Sequence, residues 1–234
     1  MTGAADPRDL APQRVLALVV RIERQDPPIR TDALEAAAIA VLSLLADRRA
    51  APGPAAAEDG EWARAVREWT DGRIRKVARR ARGAEWRRAE ALDGITVTRR
   101  TAQVRVFPPV PLDGWPRDLA RLQVGGTDLD DPEPPPEPPP GTAVLWLNPA
   151  LRLSAGKAMA QVGHAAQLGW NALDPWQREA WRDAGFALAV RTAREDRWKQ
   201  LLAAGLPLVR DAGFTEVEPG TCTSVADLPL LRRG

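Results

Sequence analysis

Five side chains in the last third of the 234-residue chain have the types and spacing to do chemistry together. Lys157, Gln161 and His164 stand at i, i+4 and i+7, so a helix places all three on one face near its N-terminus. That end of a helix carries unpaired backbone N–H groups and a partial positive charge, which suit a phosphate or an oxyanion. Asp211 and Thr215 follow a short apolar segment, and α/β sheets bind ligands at the carboxyl ends of strands. Each group alone has a plainer interpretation, because a lone helical histidine is usually structural and Asp-Ala-Gly is usually a turn.

The elements that must position these side chains follow a regular order. Hydrophobic periodicity and turn residues predict a strand, two helices, a strand, a helix and two further strands. This order is typical of an α/β sheet with helices packed on it. The predicted segments are residues 143–147, 156–173, 175–184, 186–190, 194–204, 206–210 and 215–225.

The N-terminal part of the chain resembles the same unit in a degenerate form. Residues 69–97 align without gaps on residues 181–209, with eight identities that include two pairs of tryptophans. A predicted strand at 15–22 and a helix at 31–47 precede this block in the matching order. We therefore predict an α/β fold of two similar small domains, each a mixed β-sheet with helices packed on it, associated as an intramolecular pseudo-dimer. The alternative is that a composition rich in Ala and Arg inflates the match.

Composition excludes several classes of protein. The 44% hydrophobic and 27% charged fractions are typical of a soluble globular chain. The longest apolar run, residues 36–45, is about half a membrane span, and the charged first ten residues do not resemble a signal peptide. One cysteine and one histidine exclude a disulfide framework, a Cys-rich zinc site and a histidine-clustered metal centre. We expect a cytoplasmic protein with no cofactor, no metal and no membrane partner.

Charge and proline are strongly segregated along the chain. Residues 127–141 hold seven prolines and five carboxylates with no base, which predicts an extended polyproline II-like linker between domains at 1–126 and 142–234. A second Ala/Pro-rich stretch, residues 48–60, is predicted to be disordered.

A basic segment, residues 72–105, carries a net charge of +8, and eight of its basic residues lie on a predicted strand and the helix after it. Such a surplus suits the phosphates of an RNA, although a solvated basic face is the alternative. The residues predicted to bind RNA are Arg73, Arg75, Lys76, Arg79, Arg80, Arg82, Arg87 and Arg88.

Two motifs together carry a resemblance to a known family. The first is Gly-Lys157-x-x-Ala-Gln161-x-x-His164-Ala after a strand, and the second is Asp211-Ala-Gly-x-Thr215-x-Val-x-Pro-Gly-Thr. Across residues 141–228 the chain resembles the archaeal and eukaryotic (second) type of peptidyl-tRNA hydrolase. The resemblance implies a small α/β domain, often dimeric, that cleaves the ester between a peptide and the 3′ ribose of tRNA without a cofactor. It also implies that these five residues form the catalytic site.

The roles we expect follow from the chemistry of each side chain. Asp211 would orient or deprotonate the attacking water, while Lys157 and the helix N-terminus would stabilise the oxyanion. Thr215 would position the water or a ribose hydroxyl, and Gln161 and His164 would hold the network together.

The chain also departs from the family pattern. Ala155 stands where a second lysine is usual, Val162-Gly163 replaces a Cys-Ser pair, and Phe214 replaces a polar residue. The N-terminal copy lacks the polar set and is not expected to be an enzyme. The residues at its corresponding positions are Arg30, Leu34, Ala37 and Arg99. A catalytically inactive RNA- or partner-binding module that retains the fold is the alternative function, and a purely structural or dimerisation protein is a third.

Overall fold

The computed structural model describes residues 8, 11–53, 55, 58–211, 218 and 220–231. Within these residues the chain forms two mixed β-sheets with helices packed on them, so the predicted fold class is confirmed. The helices are α1 (Arg30–Leu45), α2 (Glu61–Asp71), α3 (Gly83–Glu90), α4 (Arg117–Ala120), α5 (Ala155–Ala172), α6 (Pro175–Asp183) and α7 (Glu195–Ala203). The strands are β1 (Arg14–Arg21), β2 (Arg75–Ala81), β3 (Ile95–Arg99), β4 (Ala102–Val106), β5 (Val110–Pro111), β6 (Ala143–Leu147), β7 (Leu188–Thr192), β8 (Leu208–Arg210) and β9 (Cys222–Asp227).

The central strand of the N-terminal sheet, β1, is apolar along its length because both of its faces are covered. Leu16, Leu18 and Val20 point to the main core, and the alternate residues Ala17 and Val19 pack in a second cluster. A strand buried on both faces has a nearly continuous hydrophobic sequence instead of an alternating one. This explains why β1 is easily recognised in the sequence.

The two sheets have the same strand order. The N-terminal sheet runs β2-β1-β4-β3, with β5 added beside β1, and the C-terminal sheet runs β7-β6-β9-β8. In each sheet the first two strands in sequence are parallel, and the remaining neighbours in that order are antiparallel. The pairing register also corresponds. Leu16 lies opposite Lys76 in the N-terminal sheet, and the residues aligned with these two, Ala143 and Leu188, lie opposite each other in the C-terminal sheet. Shared order and register agree with the predicted similarity of the two halves.

A pair of tryptophans makes the same hydrogen bond in both halves. The indole N–H of Trp69 in α2 donates to the carbonyl of Arg75 at 2.9 Å, and that of Trp181 in α6 donates to the carbonyl of Ala187 at 3.2 Å. Both bonds connect residues six apart, and both connect a helix to the start of the next strand or the residue before it. The aligned tryptophans therefore have equivalent structural roles.

The two halves share one hydrophobic core. Helix α1 packs along α5, and each of the two helices also contacts the sheet of the other half. Residues from both helices, including Leu42 and Met159, are fully buried in a single cluster. A helix that is apolar on almost every side, as α1 is, must be enclosed by the rest of the protein. None of the helices in the described residues is long and apolar enough to cross a bilayer.

The predicted spacer, residues 127–141, packs against the protein over part of its length and does not extend freely. The Thr127 side chain is buried, and Leu129 belongs to the shared core. The carboxylate of Asp131 accepts hydrogen bonds from the backbone N–H and the hydroxyl of Thr31, at 2.7 and 2.8 Å, in the first turn of α1. The prediction of an extended polyproline II-like linker did not include this attachment, which one core leucine and one capping carboxylate provide.

The described part of residues 48–60 is also ordered, contrary to the prediction. The guanidinium of Arg49 lies 3.6 Å from the ring centroid of Trp62. The carboxylate of Asp59 is buried and accepts a hydrogen bond from Arg67 at 2.7 Å. These two contacts fix both ends of an Ala/Pro-rich stretch whose composition alone indicated disorder.

Candidate active site

The first turn of α5 is the predicted anion cradle, and the structure shows that its backbone donors are occupied. The N–H of Ala155 donates to the Thr127 carbonyl at 3.2 Å, and the N–H of Gly156 donates to the Thr127 hydroxyl at 3.0 Å. The Ser154 hydroxyl accepts from the N–H of Lys157 at 3.4 Å. The expectation of free N–H groups at this end was therefore wrong. Lys157 itself is half-buried in this turn.

Gln161 and Asp211, which the sequence separates by fifty residues, are brought into direct contact. The Gln161 amide nitrogen donates to a carboxylate oxygen of Asp211 at 3.2 Å, and both side chains are buried. The other end of the amide accepts from the Thr223 hydroxyl at 2.6 Å. A third hydrogen bond, at 3.1 Å, is donated by the Ser224 hydroxyl to the backbone carbonyl of Gln161. With both ends of its amide bonded, Gln161 holds the Asp211 carboxylate in one orientation.

The backbone at Asp211 is fixed as well. Its N–H donates to the Thr221 carbonyl at 2.9 Å, and its carbonyl accepts from the N–H of Gly220 at 2.8 Å. Asp211 therefore directly follows β8, with its backbone bonded to Gly220 and Thr221 at the start of the next strand. Burial of a carboxylate at such a position needs hydrogen-bond partners, and Gln161 is one of them.

Thr223 and Ser224, both fully buried on β9, are the residues that sequence reasoning missed. They anchor Gln161 from the neighbouring sheet, so they position the site without belonging to either motif. Two adjacent hydroxyl residues between the apolar Cys222 and Val225 are the signal that could have found them, since buried hydroxyls need partners.

His164 does not join Gln161 and Asp211 but faces the N-terminal half. Its Nδ1 lies 3.1 Å from Nζ of Lys76, which comes from β2. Burial, together with the positive charge of Lys76, lowers the pKa of His164 well below 6.5. Gln161 and His164 are neighbours on α5, three residues apart. The predicted common face is nevertheless divided, because Gln161 contacts the C-terminal sheet and His164 contacts the N-terminal sheet. Lys76, predicted to bind RNA, instead meets the C-terminal half, and burial lowers its pKa well below 10.5.

Thr215 lies outside the described residues, and its predicted role stays a prediction. The described part of the predicted last strand, 215–225, coincides with the beginning of β9. Lys157, Gln161 and His164 are on α5 as expected, and Asp211 follows β8. The helix and the strand thus bring four of the five residues to the same unit of the fold.

Two further basic residues of the predicted RNA-binding set use their donors inside the protein. The Arg79 guanidinium donates to the Leu122 carbonyl and lies 4.3 Å from the ring centroid of Trp115. Arg80 donates to the Gly125 carbonyl at 3.0 Å. Both arginines therefore hold the segment that follows α4 against β2, which is a structural function.

Other members of the set remain on the surface. Arg87 is exposed on α3, and the neighbouring Arg88 forms an ion pair with Asp118 at 3.4 Å. Arg73, Arg75 and Arg82 are partly buried. For these five arginines RNA binding stays a prediction.

The corresponding position in the N-terminal half is filled by ion pairs. Glu35, buried on α1, pairs with Arg99 at 3.2 Å and with Arg100 at 2.6 Å. It also pairs with Arg191 of the C-terminal sheet at 3.2 Å. Leu34, which corresponds to Gln161, is buried in the core. Leu34 and an arginine already bound to a carboxylate leave this half without the groups that hold the buried Asp211 carboxylate in the other half.

The C-terminal unit thus has the form of a small α/β enzyme domain. Its polar side chains lie where β8 ends and in the first turns of α5. The family model for peptidyl-tRNA hydrolase PTH2 matches residues 142–232. A peptidyl-tRNA hydrolase of Halobacterium salinarum is 37% identical over 90 residues, which cover 36% of this chain and 80% of that protein. That of Methanopyrus kandleri is 34% identical over 112 residues, covering 38% of this chain and 97% of that protein. The chain therefore belongs, through its C-terminal part, to the peptidyl-tRNA hydrolase PTH2 family.

A third relative extends the same pattern. The peptidyl-tRNA hydrolase of Methanocaldococcus jannaschii is 35% identical over 95 residues, which cover 36% of this chain and 81% of that protein. The family match begins at residue 142, directly after the acidic, proline-rich segment. The match therefore coincides with the C-terminal sheet and its helices.

Proposed function

We propose that the C-terminal unit hydrolyses the ester bond between a peptide, or an N-blocked aminoacyl group, and the 3′ end of tRNA, which recycles peptidyl-tRNA. The observation that carries this proposal is the contact of Gln161 with the buried Asp211 carboxylate, one helical turn from Lys157. The printed names of the relatives support the choice of substrate. Because that substrate belongs to translation, the proposed location is the cytoplasm.

The proposed reaction is a direct attack of water on the ester carbonyl. Asp211 orients the water and accepts its proton as the new C–O bond forms. The bond to the ribose 3′ oxygen then breaks, and that oxygen takes up a proton, so that a free peptide carboxylate and a tRNA 3′-hydroxyl are released. Gln161 keeps the Asp211 carboxylate aimed at the water, and Thr215 is proposed to position the water or the ribose.

Lys157 is proposed to stabilise the oxyanion of this reaction. The backbone N–H groups of Ala155 and Gly156 are bonded to Thr127, so the ammonium group takes over the function that a free helix end would have. A positioned donor at a developing oxyanion contributes roughly 3–4 kcal/mol in other enzymes. His164 has a supporting function.

The proposed domain organisation is a degenerate unit at 1–126, a linker at 127–141 and a catalytic unit at 142–234. The matching strand order of the two sheets and the shared core support an intramolecular pseudo-dimer of the two units. The N-terminal unit would then stabilise the catalytic one and contribute basic surface toward the tRNA body.

An inactive RNA- or partner-binding module is the second candidate. It is favoured by Ala155, which stands where the family usually has a second lysine, and by the occupied helix end. The two candidates differ in one measurable property, namely ester cleavage at an intact tRNA-binding site.

The test is hydrolysis of an N-acetyl-aminoacyl-tRNA by the full chain. We expect cleavage above the buffer rate, and we expect Asp211→Asn to lower kcat by about 10²- to 10⁴-fold, because an amide cannot accept the proton. The matched control is Asp196→Asn, which removes the same charge from an exposed position on α7. Tight tRNA binding without cleavage would establish the binding module, and an Asp211→Asn variant with more than half the activity would remove Asp211 from the mechanism.

A further inference from the structure

Lys76 of the N-terminal half reaches the catalytic helix with a basic side chain. Lys76 leaves β2 toward α5, and its Nζ lies 3.1 Å from Nδ1 of His164. The same ammonium donates to the side-chain carbonyl of Gln167, one turn after Gly163 on that helix. It also lies 4.6 Å from the ring centroid of Trp69, which is a cation–π distance. Two contacts with α5 and one with α2 thus hold the end of the Lys76 side chain.

The surface of α5 is shaped to receive the lysine stem. A Cβ built on Gly163 would lie 3.2 Å from Cδ of Lys76 and 3.1 Å from Cγ2 of Val41 on α1. Side chains larger than that of glycine would therefore press against the stem of Lys76 and against the neighbouring helix. Gly163 also belongs to the Val162-Gly163 pair, where the sequence departs from the family pattern. The departure and the inserted lysine are thus in direct contact.

The contact decides which nitrogen of His164 carries its proton. Burial favours the neutral amine of Lys76, but the Trp69 ring and the Gln167 side-chain carbonyl beside its Nζ both stabilise the charged form. The charged form has three donors and no acceptor, so the Nδ1 that it faces is the acceptor. A neutral imidazole that accepts at Nδ1 carries its proton on Nε2 and donates from there. Nδ1 is then not free to accept a proton from water.

We propose that Lys76 is a positioning residue of the C-terminal site, which holds His164 as a neutral donor through Nε2. A side chain from the degenerate unit then sets the protonation state of a residue on the catalytic helix. This proposal rests on the proposed function for its bearing on catalysis, whereas the state of His164 can be tested without any activity.

The charges around His164 agree with this assignment. Among the described residues, Lys76 is the charged group that β2 directs at the imidazole, and α1 contributes the apolar Val41 beside the neighbouring Gly163. Asp211, at the end of β8, is held by Gln161 on another side of α5, and Lys157 lies two turns nearer the helix start. Burial and the charge of Lys76 both lower the pKa of His164, so protonation of the imidazole is disfavoured.

His164 is the one histidine of the chain, so NMR reports on it without assignment ambiguity. In the wild type we expect ¹⁵N shifts of the Nε2–H tautomer and no protonation as the pH falls through 6.5, the ordinary value for histidine. In Lys76→Met, which keeps an unbranched apolar stem, we expect the pKa of His164 to rise and both tautomers to be populated. The control is Lys199→Met, which removes an exposed lysine from α7.

Activity provides the second readout. Lys76→Met removes the smaller of the two causes that lower the pKa of His164, while burial remains, so the imidazole protonates at a higher pH than in the wild type. We therefore expect kcat/KM of Lys76→Met to fall more steeply toward low pH than kcat/KM of the wild type. Uniform loss at every pH would indicate a merely structural lysine and would overturn the proposal. A wild-type His164 that is an Nδ1–H tautomer, or that titrates near 6.5, would overturn it even if Lys76→Met failed to fold. If NMR shows the Nε2–H tautomer of His164 but the chain cleaves no ester, the proposed function is wrong, whereas the role of Lys76 in fixing the state of His164 is still supported.

Discussion

Lys157 is one of three lysines among the 33 basic residues of the chain. Its compact ammonium differs from a guanidinium, which is planar and presents its donors as a fork. We expect Lys157→Arg to lower kcat on an N-acetyl-aminoacyl-tRNA by roughly tenfold to a hundredfold despite the equal charge. The measurement is single-turnover hydrolysis at saturating enzyme.

The control for Lys157→Arg is Lys199→Arg, the same exchange on the exposed face of α7. Full activity of Lys157→Arg would mean that the site needs a positive charge there and nothing more specific. In that case the oxyanion would have to be stabilised by a different group.

The residue types of the site could be predicted from the sequence, but their partners could not. The spacing of Lys157, Gln161 and His164 correctly placed all three on one helix. It could not separate Gln161 from His164, because that division depends on which sheet lies over each side of α5. The partner of His164 lies 88 residues away on a strand of the other half, and no local pattern indicates such a contact.

At the scale of elements, the start of α5 depends on a residue from the connection before it. A Cβ on Gly156 would lie 2.7 Å from the Thr127 hydroxyl, so the buried threonine would have to move. We expect Gly156→Ala to lower the free energy of unfolding by about 1 kcal/mol, since both hydrogen bonds of Thr127 to the helix would be strained. Urea unfolding, compared at equal m-values, measures the change.

A matched control is Gly125→Ala, because a Cβ at that glycine meets nothing within 4 Å. Equal urea midpoints for Gly156→Ala and the wild type would show that Thr127 can shift without cost. The start of α5 would then be held in place by the hydrophobic core alone.

Most elements were predictable because each has a regular pattern of buried residues. Strand β6 was predicted with its observed bounds, and α5 within one residue at each end. Strand β7 begins at Leu188 and not at the predicted residue 186, since Gly185 and Phe186 both have positive φ and continue the turn. A buried phenylalanine that packs against Trp170 and Trp181 has the composition of a strand without its backbone conformation.

The connection between the halves was less predictable. Seven prolines correctly indicated a segment without regular secondary structure. Its attachment depends on Thr127, Leu129 and Asp131, which are spaced irregularly and resemble any polar loop. The composition of such a segment predicts that it lacks helices and strands, whereas a few side chains decide whether it packs against the rest of the protein.

At the scale of the whole molecule, the surface charge of the N-terminal half makes a prediction about tRNA binding. Arg82 stands immediately before α3, and Arg87 is exposed on that helix. We expect replacement of both by Ser to weaken tRNA binding and to flatten the slope of log K against log salt by about 0.7–0.9 for each phosphate that the protein no longer binds. The rate at saturating tRNA should not change.

The control replaces Arg182 and Lys199, two exposed basic residues of the C-terminal half, by Ser, which removes the same charge. Equal slopes for the two double variants would show that the basic surface acts through net charge alone. The N-terminal half would then be a structural partner.

The matching order of two sheets within one chain affects how the protein can diverge. In a symmetric homodimer one gene encodes both subunits, so every substitution occurs twice and must be tolerated at both positions. Here Arg99 and Asp211 occupy corresponding positions but are encoded separately, as are Lys76 and Leu188. Each position can therefore be selected for a different property. A lysine that a symmetric dimer would carry twice can instead be introduced on one side only, opposite a histidine.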